Sequence, residues 1–224
     1  MEEFLESIIP YSAEVMGAAG LLVASFTSII SVVNPLAAMP VFLSLTEKNT
    51  PAERNRTAKK SATYMFLVLG TFLLAGTYIL SFFGISLPAI GVAGGLIIMR
   101  SGFSMLNPET GGRKITDEEQ ESAMHKEDVS FSPLAMPLLS GPGSIAVVIG
   151  LGVQAQGTVD LIINGVAIFL ACLLAFTILR VSPWMVRYIG QSGMSVMTRM
   201  MGFITLCIGV QFIINGILRF FDLG

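Results

Sequence analysis

The chain has 224 residues, 53% of them hydrophobic and 12% charged, with a mean hydropathy of +0.76 and a formal net charge of −2. A chain this apolar lacks the polar surface to cover a soluble domain, and its uncharged stretches read as a polytopic, all-α integral membrane protein in contact with the lipid bilayer. No basic, aromatic-studded patch points to nucleic acid.

The N-terminus is acidic and has no basic n-region, so it does not read as a cleaved signal peptide. The first apolar run covers residues 15–45. As one straight helix it would reach about 46 Å, against about 30 Å of hydrocarbon, so it must tilt, project or break. NPLAAMP, beginning at Asn34, marks where. Spans two and three follow at residues 61–83 and 85–106, joined through FFGISLP by a turn short enough to require a tight hairpin. A polar segment at 107–130 carries seven of the fifteen acidic residues and reads as a solvated linker, with capping-box spacing between Thr116 and Glu119. Spans four, five and six are expected at 131–153, 159–179 and 200–221.

Eleven of the thirteen basic residues fall in the loops one–two, three–four and five–six, with Arg219 the clear exception. The positive-inside rule puts those loops in the cytoplasm and both termini on the outer side of the membrane.

Sliding the chain against itself by 107 residues places Pro35 on Pro142 and GLIIMRSG (Gly95, Gly102) on GFITLCIG (Gly202, Gly209). A rival offset of 98 aligns only the two PLA triplets at Pro35 and Pro133. The longer offset divides the chain into an N-terminal three-helix repeat (1–106), the linker (107–130) and a C-terminal three-helix repeat (131–224). Three spans is an odd number, so the halves are inverted relative to one another, as in many secondary transporters. Glycines seven apart share one helix face and permit close packing. With Arg100, they are read as gating or structural residues; snorkelling to the cytoplasmic interface is the competing reading for Arg100.

FSPLAMPLLSGPGS, at residues 131–144, carries too many prolines and glycines for a regular helix. The repeat aligns Asn34-Pro35 with Gly141-Pro142. Proline suits the first helical position, and asparagine or glycine suits the cap before it. Each pair therefore reads as the start of a second half-helix, giving broken first and fourth spans. Their free N–H groups and positive dipole ends would meet near the midplane as a carboxylate site. The candidate binding residues are Ser31, Asn34, Pro35, Ser140, Gly141, Pro142, Gly143, Ser144 and Gln211. No cofactor and no metal are expected; if transport is ion-coupled, sodium or a proton is the coupling ion, and a monovalent cation has its place near Asn34 and Ser140. A pair of packing kinks is the alternative. Asn164, Gln211 and Asn215 have interhelical hydrogen bonding as their default role. No metal-ligand cluster, catalytic motif or mid-span carboxylate occurs, which argues against an enzyme and against a carboxylate proton relay.

The chain resembles the MarC family of six-span bacterial inner-membrane proteins along nearly its whole length. The resemblance is carried by NPL at Asn34, PAERNR at Pro51, FGIS at Phe83 and GVAGGL at Gly91, then FSPLAMP at Phe131, GPGSIA at Gly141, RMMGF at Arg199 and GVQFIINGI at Gly209. That family is similar to small neutral amino-acid transporters and is grouped with LysE-like exporters. The resemblance implies transport and supplies no solute, direction or coupling ion. A small neutral amino acid such as glycine, alanine or serine is the expected solute, because a zwitterion suits the half-helix geometry. A non-transporting protein that acts through partner binding, and a passive small-solute channel, are the alternatives. The oligomeric state is left open.

Overall fold

The computed structural model describes residues 2–106 and 129–221. The described residues are helical and contain no strand. In chain order the helices are α1 (Glu2–Val33), α2 (Pro35–Leu45), α3 (Pro51–Phe83), α4 (Leu87–Leu106), α5 (Ser130–Leu139), α6 (Pro142–Gln154), α7 (Thr158–Gly190) and α8 (Ser192–Phe220). Among the described residues, α3, α4, α7 and α8 are long and apolar enough to cross a membrane singly, and α1 with α2 forms a fifth candidate bent by 41°. The sequence anticipates six spans, whereas α5 and α6 are each too short to cross alone.

Helix ends differ from the apolar boundaries for a physical reason. Hydropathy marks where lipid begins, but a helix continues while its backbone bonds continue. Thus α3 starts at Pro51, well before residue 61, because Thr50 caps it: its hydroxyl accepts from the Glu53 amide, while Glu53 Oε2 accepts from the Thr50 amide at 2.8 Å. The expected loop between spans five and six is likewise helical up to Gly190, whose φ of 73° turns the chain into α8. The hairpin after Phe83 forms as expected, with Gly84 at φ 63° closing the end of α3. The Thr116–Glu119 capping box falls on residues outside those described.

Two polarities of surface identify the solvent. Leu74, Tyr78, Phe169 and Phe203 are all more than half exposed, a distribution suited to lipid contact on the outer faces of a bundle. Inside, Ile29, Phe42, Met65, Leu69, Leu134, Leu139, Val148 and Ile168 are fully buried. Asn164 ties three helices together there: its Oδ1 accepts from Ser25 Oγ of α1 at 2.7 Å, and its Nδ2 donates to the Leu151 carbonyl of α6 at 3.3 Å. Asn164→Leu strands that buried serine, so an apparent stability loss of about 1–2 kcal/mol is expected. Thermal unfolding in detergent measures it.

The tightest packing joins α4 to α8. A Cβ on Gly95 would lie 2.7 Å from the Gly209 carbonyl oxygen, and one on Gly102 would lie 2.8 Å from that of Gly202. The reciprocal approaches, Gly209 to the Gly95 oxygen at 2.8 Å and Gly202 to the Gly102 oxygen at 3.1 Å, complete the set. Gly95 packs on Gly209 and Gly102 on Gly202, so the two helices run antiparallel along their glycine faces.

Candidate functional site

Proline chemistry shapes the centre of the molecule. In α5, Ser132 (φ −126°, ψ 121°) and Met136 (φ −129°, ψ 125°) leave the helical region because each precedes a proline, which excludes that conformation from its predecessor. The helix winds with longer hydrogen bonds instead, Leu134 N to Val129 O and Ser140 N to Ala135 O. Ser61 of α3 donates to the Ser130 carbonyl at 3.0 Å, meeting a backbone acceptor at the start of this stretch. Gly141 is extended (φ −70°, ψ 170°), and Pro142 begins α6.

Asn34 solves the same problem differently. Gly141 takes the extended form that proline imposes, whereas Asn34 is left-handed (φ 43°, ψ 66°), the one non-glycine residue at positive φ among those described. Asparagine is among the few side chains that tolerate this region. It accepts the Ala37 amide on Oδ1 at 3.3 Å, capping α2, and Pro35 follows, buried, in the first turn. Its Nδ2 donates to Thr205 Oγ1 of α8 at 3.1 Å. Asn34 and Thr205 are 7% and 2% exposed. Strained backbone held by buried polar contacts is a feature that gathers at functional sites.

Thr205 connects the two breaks. Besides accepting from Asn34, it lines a small cavity of about 40 Å³ with Gly141, Pro142, Gly143, Ser144, Ser101 and Ile98. Gly143 is pressed against α4 and α1: a Cβ there would lie 2.7 Å from Ile98 Cγ1 and 3.2 Å from Val32 Cγ1. The cap of α2 and the start of α6 thus converge on one threonine, whose hydroxyl proton donates to no group among the described residues.

The remaining candidates separate by what their polar atoms already do. Ser140 is fully buried, and its Oγ has no hydrogen-bond partner among the described residues, a state that costs about 1–3 kcal/mol. Ser144 Oγ is committed to the broken backbone, donating within 3.1 Å of both the Leu139 and Gly141 carbonyls. Ser31 donates back to the Thr27 carbonyl at 2.6 Å, the ordinary behaviour of a helical serine. Gln211 is exposed and bonds Asn215 of its own helix at 2.8 Å. Gln211 lines neither this cavity nor the larger one, whereas Asn215 lines the latter. Arg100 is exposed on the C-terminal half of α4. Among the described residues no cluster of His, Cys, Asp or Glu suits a metal ion.

Thr205 was not singled out by the sequence reading, although a signal exists. It stands between Gly202 and Gly209 at helical spacing, on the face that packs against α4. A hydroxyl on a small-residue interface is a natural place for a polar contact between helices.

A second, larger cavity of about 230 Å³ lies further along the same helices, lined by Ser28, Pro88, Ala146, Gln154, Asn215 and Arg219 among others. Ser28 stands one turn from Val32 on α1, and Ala146 one turn from Gly143 on α6. The two cavities therefore follow shared helix faces.

Taken together these features define a polytopic helical membrane protein in which the cap of one half-helix bonds a buried hydroxyl that also borders the first turn of another. Comparison with known proteins agrees. The model of the MarC family integral membrane proteins matches residues 20–221. UPF0056 membrane protein YhcE of Escherichia coli strain K12 is 34% identical over 192 residues, covering 86% of this chain and 89% of that protein. UPF0056 inner membrane protein MarC is 34% identical in Citrobacter koseri and 36% identical in Escherichia coli strain SMS-3-5, in both cases over 85% of this chain and 91% of the relative. The chain belongs to the MarC family of integral membrane proteins. No solved structure matches it.

Proposed function

We propose that this protein is a secondary transporter of small neutral amino acids in the bacterial inner membrane. The solute binds at the midplane between the first turns of α2 and α6. One observation carries the reading: the α2 cap and the Gly-Pro-Gly start of α6 meet at Thr205, through the 3.1 Å bond from Asn34 and the small cavity they share. Amide groups at two helix N-termini favour a carboxylate, while Ser140 Oγ and the carbonyls freed by Pro40 and by the α5 prolines offer oxygen to an ammonium or a coupling cation. Sodium or a proton takes that coupling role.

In this reading α5 and α6 form a sixth crossing as one broken span, and residues 1–106 and 131–224 are inverted halves joined by the 107–130 linker, with both termini periplasmic. The glycine packing supports the inversion. Under the 107-residue offset, the Gly95–Gly209 contact maps onto the Gly202–Gly102 contact, which a two-fold axis in the membrane plane requires. Rocking of one half against the other then alternates access.

Counterflow of labelled alanine, glycine and serine into proteoliposomes, with and without a sodium or pH gradient, tests the proposal. Saturable exchange that responds to one gradient is expected. Linear, gradient-independent flux would instead describe a passive channel, and no flux of any of the three would refute the substrate class.

A further inference from the structure

Arg219 is the one basic residue that departs from the inward charge bias, and the structure places it in the wall of the larger cavity. Its guanidinium donates to Gln154 Oε1 at 3.1 Å, joining the outer ends of α8 and α6. It makes no ion pair among the described residues, and no Asp or Glu lines the cavity. The amides beside it are oriented by their own helices. Gln154 Nε2 donates to the Gly150 carbonyl at 2.9 Å, and Asn215 Oδ1 accepts from Gln211, which leaves the Asn215 amide hydrogens without an acceptor among the described residues. The wall thus presents one cation and one amide donor to about 230 Å³ of space, with no carboxylate among the described residues that line it. A guanidinium that keeps only one hydrogen bond retains several donors for a planar anion.

We propose that this cavity is an outer vestibule that recognises the carboxylate of a small solute, with Arg219 as its recognition group, before the solute reaches the Thr205 site. The proposal rests on the transport reading above and adds a second binding station with a defined ligand chemistry. Ser28 and Val32 on α1, and Ala146 and Gly143 on α6, mark the route between the stations at single-turn steps. A positive wall on an open-mouthed cleft raises the local concentration of anions at its entrance. It therefore favours solutes that carry a carboxylate over uncharged or purely cationic ones. A lipid-headgroup phosphate presents related chemistry to the same guanidinium, so the test separates the two sources.

A single cysteine at Ser28→Cys, with Cys172 and Cys207 replaced by alanine, reports on the vestibule in full-length protein in proteoliposomes of fixed lipid composition. The rates to compare are those of an anionic sulfonatoethyl methanethiosulfonate and its cationic trimethylammonioethyl analogue. With Arg219 present the anionic reagent is favoured, alanine slows labelling, and alaninamide, which lacks the carboxylate, does not. Arg219→Gln retains a hydrogen-bonding group towards Gln154 while removing the charge. It is expected to lower the anionic-to-cationic rate ratio about tenfold and to abolish protection by alanine, whereas Arg219→Lys keeps the rate preference. Unchanged ratio and protection in Arg219→Gln overturn the proposal. So does the absence of alanine protection in the parent, the result expected if lipid phosphate occupies the guanidinium. Counterflow on the same vesicles keeps the two readings apart: protection without exchange refutes transport and leaves the vestibule standing, while exchange with no Arg219 dependence of labelling refutes the vestibule alone.

Discussion

Asn34→Gly is expected to fold and insert much like the wild type yet lose alanine exchange by about tenfold or more. Glycine accepts the left-handed backbone at position 34 without penalty, and as a helix cap it costs only a few tenths of a kcal/mol relative to asparagine. What disappears is the side chain that caps α2 and holds Thr205 Oγ1. In the proposed site the second Nδ2 hydrogen faces the solute carboxylate. One hydrogen bond to a charged group is worth about 1.5–3 kcal/mol, and about 1.4 kcal/mol is a factor of ten. Asn34→Ala adds a folding defect to the same functional loss, because an L-residue in this region costs about 1–2 kcal/mol and the cap about 1 kcal/mol more. Exchange assays paired with unfolding in detergent separate the two effects. Equal stability of the alanine and glycine variants would show that the backbone at 34 relaxes without cost.

Gly209→Val is expected to be the most damaging single change to the fold, at about 3 kcal/mol or more. A Cβ at this position meets the Met99 amide nitrogen at 2.6 Å and the Gly95 oxygen at 2.8 Å. Both are backbone atoms, so no side-chain rotation relieves the clash and the α4 and α8 axes must part. Their separation would also move Thr205, one turn away on α8, off Asn34. Gly70→Val is the matched control: it lies mid-helix in α3, and a Cβ there meets nothing within 4 Å. Yield of monodisperse protein after extraction measures both. Comparable yields for the two variants would mean that the glycine contact does not hold the bundle together.

The sequence announced the helix breaks because proline leaves a chemical signature that no tertiary context erases. Asn34-Pro35 and Gly141-Pro142 do begin α2 and α6, and the prolines after Ser132 and Met136 prevent regular winding in α5. The glycine pairs were legible as a packing face for the same kind of reason, since spacing alone puts Gly202 and Gly209 on one side. Which helix they face was not legible, because pairing is set by the whole bundle. Hydroxyl roles were the least readable. Ser31, Ser140, Ser144 and Thr205 are alike in composition, and only packing decides that Ser31 and Ser144 turn to backbone carbonyls, Ser140 finds no partner among the described residues, and Thr205 meets Asn34. Gln211 lines neither described cavity although Asn215, its hydrogen-bond partner one turn on along the same exposed face, lines the larger one, so position along the helix and not its facing separates them.

In the proposed mechanism solute binds where the two half-helices meet at Thr205. Labelled-alanine counterflow in proteoliposomes containing either wild-type protein or Thr205→Val tests it most directly, since valine preserves the shape and removes the hydroxyl. Saturable exchange by the wild type is expected, with a loss of about tenfold or more in the variant at equal reconstitution, from one hydrogen bond to a charged carboxylate. Exchange by Thr205→Val at the wild-type rate and half-saturation would contradict it.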